Sequence, residues 1–350
     1  MVILCFFIYL LMNSFGSIYR LTSFGESHGP AVGGVIDGIP ANQLFSLDAL
    51  QAELDARRPG SDKNVSQRRE PDKLVLLSGY LPVEGQPSMI RSLGTPIGFY
   101  VANTNQRSED YEELRHVYRP NHADLTYDAK YGVRDWRGGG RASGRETIAR
   151  VVYGAFAKQI LARVGISVSA RVTEIGGCSD RSKFDEMIAE ARAAGDSLGG
   201  IVAGNIVGLP AGLGEPTFGK LQQMLASAML SIGAVHGFDY GDGFPLASMR
   251  GTQAADEMDE DGFLSNHCGG ILGGISTGQP IPFRVAFKPT PSISAPLRTV
   301  DDQHQPTTLQ TKGRHDPCIA LRGAVVVSAM AAATILDALL LSSITLFPQE

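Results

Sequence analysis

Apolar and polar positions follow two different periods along this chain. Short apolar runs bounded by Gly, Pro, Asp or Ser predict strands over 35–39, 73–78, 97–102, 166–173, 201–207 and 281–287. Apolar residues at three- and four-residue spacing predict helices over 47–58, 144–164, 183–194, 217–230 and 320–340. Ser46 stands where an N-cap belongs, with Leu47, Leu50 and Leu54 on one face of the helix that follows. Gly195 closes the helix over 183–194 as a C-cap. No regular strand–helix–strand rhythm connects these elements, so the pattern predicts an α+β protein with helices layered against sheets. The stretch 288–317, rich in Pro, Thr, Asp and Gln, predicts a long loop of the kind that is usually functional or disordered.

Two apolar stretches bear on location. The run 2–12 is shorter than the ~20 residues that span a bilayer. It also lacks the basic flank and small-residue cleavage site of a signal peptide. The simplest expectation is that Met12 is the natural start, with 1–11 an upstream extension and 12–345 a single domain. The run 324–341 is almost entirely apolar, but Asp337 interrupts it. A helix apolar all round is either buried or membrane-spanning, and in a chain polar elsewhere it is expected to be a buried core helix, with no membrane as partner.

Composition narrows the picture. Hydrophobic residues make up 43% of the 350 and charged residues 19%, enough apolar material for a sizeable core and too much for a disordered chain. Glycine contributes 41 residues, roughly 12% against a usual ~7%, without a collagen period, which points to tight turns and close backbone approaches. A net charge of -5 argues against nucleic acid as a partner. The four cysteines, Cys5, Cys178, Cys268 and Cys318, form no CxxC pair, so a zinc ribbon is not indicated and a reducing cytoplasm is the expected location. His28 followed by Gly33-Gly34 is echoed by His267 followed by Gly273-Gly274, from either a duplicated half-fold or glycine abundance.

The segment Arg137-Gly138-Gly139-Gly140-Arg141-Ala142-Ser143-Gly144-Arg145-Glu146-Thr147 carries the clearest chemistry. Ser143 and Glu146 have capping-box spacing and place a helix start near Gly144. Glycine-exposed amides, a helix N-terminus and flanking guanidinium groups make an anion site, although an ordinary capped helix uses the same residues. A second basic cluster runs through Arg57, Arg58, Lys63, Arg68, Arg69 and Lys73. It is half offset by Asp62, Glu70 and Asp72, and a solvated face is its bland reading. His28 and His122 lie in turn-rich polar segments rather than on apolar faces, and His315 precedes Asp316 and Pro317. No HExxH pair occurs, and no metal is expected. The G-x-S-x-G over 274–278 continues into Gln279-Pro280 and cannot run from strand into helix as a nucleophile elbow must. The acidic run 256–262 puts Cys268 where a calcium loop needs its bidentate Glu, so it reads as solvated charge.

Taken in order, Ser23-Phe24-Gly25-Glu26-Ser27-His28-Gly29, Arg57-Arg58-Pro59-Gly60, His122-Ala123-Asp124, the glycine-rich segment, Asn266-His267-Cys268-Gly269-Gly270-Ile271-Leu272-Gly273-Gly274 and Gly313-Arg314-His315-Asp316-Pro317-Cys318 resemble the chorismate synthase family. The matches run from about Met12 to the last helix. The resemblance implies a β-α-β sandwich, a homotetramer and the anti 1,4-elimination of phosphate from 5-enolpyruvylshikimate 3-phosphate. It also implies a requirement for reduced FMN, with NADPH needed at most indirectly to reduce it.

By the same resemblance, His28 protonates the departing phosphate, His122 sits near flavin N1 and stabilises or protonates the reduced ring, and Asp316, helped by Ser27, handles a proton at flavin N5. Cofactor contacts carry over to Arg141, Ala142, Ser143, Gly233, Ala234, Gly273, Lys288, Pro289, Thr290, Pro291, Ser292 and Arg314. Arg57, Arg58, Lys63, Arg119 and Arg145 are expected to face the substrate. The chain departs from the family pattern at 81–93, at Gly233 in place of a frequent Asn, at Lys63 in place of a frequent Arg, and at Pro291. Its length implies a monofunctional enzyme supplied with reduced flavin by another system. An ordinary flavin oxidoreductase on a phosphorylated anion is the competing reading.

Overall fold

The computed structural model describes residues 13–58, 71–104, 106, 108–311 and 316–342, so the expectation for 1–11 lies outside the described residues. Two antiparallel sheets enclose a layer of helices. The first sheet runs, in spatial order, Ser14–Phe15, β1 (Arg20–Phe24), β2 (Ala31–Asp37), β3 (Ile97–Ala102) and Val75–Leu76. The second contains β4 (Ser167–Ile175), β5 (Gly200–Val207), β6 (Val235–Tyr240) and β7 (Ile281–Phe287), in the order β6-β7-β5-β4. Between them lie α1 (Leu47–Arg57), α3 (Thr147–Arg163), α5 (Leu221–Leu230) and α6 (Ala320–Leu341). Helix α2 (Asp124–Tyr131) and helix α4 (Phe184–Ala193) complete the set used below. Helix α3 packs on β1 and β2, and α6 packs on β4, β5 and β7, so the α+β expectation holds as a sheet–helix–sheet sandwich.

Local chemistry explains the helix ends. Ser46 Oγ accepts a hydrogen bond from the amide of Ala49 at 3.2 Å, and Leu50 and Leu54 are fully buried, as the apolar face requires. Gly195 follows α4 at φ 68, the left-handed conformation that a C-terminal glycine supplies. Helices α3 and α6 cross closely because Gly154 has no side chain. A Cβ there would stand 2.3 Å from the Ala329 Cα.

Helix α6 is long and apolar enough to cross a membrane, yet 78% of its most apolar window is buried inside the molecule. Its one acidic residue, Asp337, accepts from the backbone amides of Ser17, Ile18 and Tyr19 at 2.8, 2.8 and 2.9 Å. The carboxylate is thereby satisfied by otherwise orphaned donors, and the N-terminal turn is tied to the core.

Several expectations change. The capping box is not formed: Ser143 Oγ accepts from the Arg145 amide, while the Glu146 carboxylate pairs with Arg150 one turn on, at 2.8 Å. The segment over 144–164 therefore opens with a 3₁₀ turn, Gly144–Glu146, ahead of α3. The expected loop 288–317 holds a hairpin, β8 (Leu297–Val300) with β9 (Pro306–Leu309), whose polar strands carry no apolar alternation to betray them. Strand β1 escapes prediction because only Leu21 of its five residues is buried. The strand over 73–78 shrinks to Val75–Leu76, and the helix over 217–230 starts at Leu221. Gly33-Gly34 lies inside β2, whereas Gly273-Gly274 forms the turn between Ile271–Leu272 and Ile275–Ser276, so the two echoed segments differ in local conformation. Ser276 of the G-x-S-x-G run is buried, its Oγ accepting from the Leu213 amide and donating to the Pro210 carbonyl, a structural role.

Candidate functional site

The β1–β2 hairpin loop carries Ser27 and His28. Both are buried, and Ser27 Oγ lies 3.2 Å from His28 Nδ1. The imidazole meets the edge of Tyr111 at a centroid distance of 5.0 Å. The glycine-rich segment runs directly beneath. Gly138, at φ 64, lies so close that a Cβ would stand 2.2 Å from His28 Cε1. Gly139, at φ 84, does the same to His122, with a Cβ 2.7 Å from its Cε1 and 3.1 Å from an Arg119 guanidinium nitrogen. Two consecutive glycines therefore bring the two histidines side by side, 94 residues apart in sequence (122 minus 28). Only glycine permits both this backbone conformation and this approach.

Around His122 the charges are tightly arranged. Arg119 grips Asp124 with two guanidinium bonds of 2.8 Å and reaches Ser292 Oγ at 3.3 Å and His122 Nδ1 at 3.0 Å. His122 Nδ1 is also 3.2 Å from Asp124 Oδ1. Burial alone would raise the Asp124 pKa, but the hydrogen bonds from Arg119 and His122 hold this carboxylate well below the usual range. Burial pushes the His122 pKa down. The Asp124 hydrogen bond opposes this and Arg119 reinforces it, so the ring favours the neutral form. Lys288 Nζ donates to the carbonyl of Asn121, fastening the 288–292 segment to the same turn.

A second cluster adjoins the His28 loop. Arg57, 1% exposed, donates to Asp72 Oδ2 at 2.6 Å, and Arg145 donates to Asp72 Oδ1 at 3.0 Å. Burial and the neighbouring Arg322 lower the Arg57 pKa to about 10, which leaves it charged at neutral pH. Arg322 bonds both to Asp316 and to the Arg57 carbonyl. Asp316 is joined back to the first cluster: the Leu198 amide donates to the Pro317 carbonyl, and the neighbouring Ser197 hydroxyl donates to the Thr290 carbonyl. Arg145 is joined to the His28 loop through Asn103, which bonds to both. The contacts thus close into a ring, from Asp316 through Arg57, Arg145, His28, His122 and Arg119 to Ser292 and back.

Five cations (Arg57, Arg119, Arg145, Lys288, Arg322) face three carboxylates (Asp72, Asp124, Asp316) in this ring. Within the ring, the buried atoms Arg57 Nε, Arg57 Nη1 and Thr290 Oγ1 have no hydrogen-bond partner among the described residues. Buried donors left unmatched in this way, within an excess of positive charge, suit an anionic ligand.

The family model for chorismate synthase matches residues 19–340. The chain belongs to the chorismate synthase family. It is 48% identical to the chorismate synthase of Phocaeicola vulgatus, covering 96% of this chain and 99% of that one. It is also 48% identical to the chorismate synthase of Nitratidesulfovibrio vulgaris, covering 94% and 98%. A crystal structure of a chorismate synthase superposes with a TM-score of 0.71 at 29% identity, over 93% of each chain.

Within this chorismate synthase fold, the residues singled out from sequence separate by position. Ser27, His28, Arg57, Arg119, His122, Arg145, Lys288, Thr290, Ser292 and Asp316 belong to the ring. Arg141 braces the start of the His28 loop, bonding Ser23 Oγ at 2.6 Å and the Gly25 carbonyl at 3.3 Å, while Ala142 and Ser143 shape the turn into α3. Ala234, at φ 70, accepts from the Lys288 amide, and a side chain on neighbouring Gly233 would meet open space. Pro289 and Pro291 stiffen the segment between Lys288 and Ser292.

Two residues stand apart. Arg58 pairs with Asp55 on the helix surface at 3.7 Å, and its side chain is 39% exposed. Gly273 sits at the opposite end of α5 from Gly233, since the Leu221 amide that opens α5 bonds to Gly274; ten helical residues, about 15 Å, separate them. Lys63 and Arg314 lie outside the described residues. Sequence reasoning assigned nothing to Asp124, Asn103 and Arg322, and counted Asp72 only as offsetting charge. The available signals were Asp124 within the His122 motif and Arg322 as a charge in the first turn of an apolar helix.

Proposed function

We propose that this chain is a carbon–oxygen lyase that eliminates phosphate from 5-enolpyruvylshikimate 3-phosphate in an anti 1,4 sense to give chorismate, completing the shikimate route to the aromatic amino acids. The observation that carries this reading is the closed ring of contacts that sets two histidines and a carboxylate among five cations with unmatched guanidinium donors. A substrate with one phosphate and two carboxylates needs such a surplus, even in a chain of net charge -5.

In this reading Arg57, Arg119 and Arg145 hold the substrate's anionic groups. His28, with Nδ1 held beside Ser27 Oγ, delivers a proton to the departing phosphate from its other ring nitrogen. Asp316, ion-paired with Arg322, takes up the proton that the elimination finally releases. The family requires a reduced flavin, which when bound supplies electron density to the allylic system as phosphate leaves. We assign this flavin as FMN, reduced elsewhere at the ultimate expense of NADPH. Lys288, Pro289, Thr290, Pro291 and Ser292, with Ala234 and Arg141, are the residues that would hold it. The unmatched Thr290 Oγ1 and the open space at Gly233 support that fit. His122, kept neutral by burial, would then orient the flavin without adding a charge. A cytoplasmic homotetramer is the working assembly.

The test is an anaerobic turnover with photoreduced FMN. Chorismate and phosphate are expected in equal amounts without consumption of NADPH. Stoichiometric NADPH oxidation, or no chorismate under strict reduction, refutes the reading, and the former returns the chain to the oxidoreductase alternative.

A further inference from the structure

Asn103 follows β3 and spans the two halves of the site. The antiparallel β2–β3 register pairs Ala31 with Ala102, so the exit from β3 and the loop entering β2 lie at one end of the sheet. The Asn103 amide donates to the Pro30 carbonyl at 2.9 Å, extending that register by one residue. The side chain then uses both of its functions. Its Nδ2 donates to the carbonyls of Glu26 at 3.1 Å and Gly29 at 2.7 Å, the two ends of the turn that carries Ser27 and His28. Its Oδ1 accepts from Arg145 Nε. Arg145 in turn is held on Asp72 and on the Ala102 carbonyl.

We propose that Asn103 is a positioning residue that couples the anion-holding guanidinium of Arg145 to the turn bearing His28. The proposal rests on the reading above in taking Arg145 as an anion ligand and His28 as the acid. The chemistry is specific to an amide. An ionised donor on Oδ1 polarises the group and strengthens the two N–H bonds on its other end. A carboxylate in the same place keeps the acceptor but loses both donors, and turns an oxygen toward two carbonyls. An anion that draws Arg145 therefore pulls, through one rigid planar group, on the turn that sets the His28 ring. Substrate binding and acid placement become one event.

The experiment compares the full-length protein with Asn103→Asp and Asn103→Ala by steady-state turnover and by amide hydrogen exchange over 26–30, with and without inorganic phosphate. In the unsubstituted protein phosphate is expected to slow exchange over 26–30. In both variants that slowing is lost. The kcat falls roughly 10- to 100-fold, the scale of an acid misplaced by up to about 1 Å, and KM changes much less. Asn103→Asp serves where Asn103→Ala fails to fold.

A residue that merely clamps a turn would lower the melting temperature but leave kcat per folded molecule and the phosphate response unchanged. That result overturns the proposal. Absence of chorismate from the unsubstituted protein, with the phosphate response present and abolished by Asn103→Asp, refutes the function but upholds the coupling.

Discussion

Replacing Gly138 by Ala tests whether the glycine-rich segment serves the histidines or only the backbone. The added Cβ would stand 2.2 Å from His28 Cε1, 2.3 Å from its Nδ1 and 3.0 Å from Ser27 Oγ. Carbon atoms rest at about 3.5–4.0 Å, so the ring or the loop must yield by more than ~1 Å. The left-handed conformation at φ 64 costs a side-chain-bearing residue a further ~1–2 kcal/mol. A displacement of ~1 Å at a proton donor can lower turnover by about 10²-fold, close to 2.7 kcal/mol of barrier.

Gly140→Ala supplies the internal control. It has the same backbone strain, at φ 53, but its Cβ would first meet Asp135 Cβ at 3.2 Å and neither histidine. Anaerobic turnover with reduced flavin, read beside the melting temperature of each variant, separates the two effects. Gly138→Ala is expected to lose about 10²-fold in kcat and Gly140→Ala much less, with both melting within a few degrees of the parent. Equal losses would mean that strain, not contact with His28, accounts for the glycine, and the reasoning fails.

Other expectations follow from the same structure. Arg57→Lys keeps the charge but loses the planar fork and its unmatched nitrogens, so the substrate KM should rise about 10- to 100-fold, the worth of one charged hydrogen bond, while kcat falls less; an unchanged KM removes Arg57 from the anion site. Asp337→Ala strands three backbone amides at ~1–3 kcal/mol each, so urea unfolding should reveal a loss of at least ~3 kcal/mol with turnover per folded molecule intact; an unchanged midpoint would show the amides reaching other acceptors. His122 should titrate by NMR below 6.5, and lower still in Asp124→Asn, because Asp124 opposes the effect of burial. The sign for stability follows: the unfolded chain takes up this proton first, so the contribution is complete above pH ~6.5 and declines as pH falls below it. A midpoint above 6.5 contradicts the burial argument.

Hydrophobic pattern alone located the elements that are buried on a whole face. The strands at Ile97–Ala102 and Ile281–Phe287 and the helix at Leu47–Arg57 were legible because inward positions repeat at the period of the element, and the helix at Ala320–Leu341 because its apolar run is nearly continuous. Strand β1 and the β8–β9 hairpin were not, because their pairing is paid by backbone bonds rather than by apolar side chains. The family, and with it the list of candidate site residues, was legible through long local motifs rather than through periodicity.

What local reading could not supply was the set of partners. Asp72 joins Arg57 and Arg145 from 15 residues after one and 73 before the other, and Gly138 touches a histidine 110 residues earlier. The three amides that receive Asp337 lie 318–320 residues away, and they make a membrane-length helix into a buried one. Sequence fixes a residue's own face and conformational freedom, because those depend on its neighbours in the chain. Which charge meets which is settled only when the sheets close over the helices, since burial makes each pairing depend on every other.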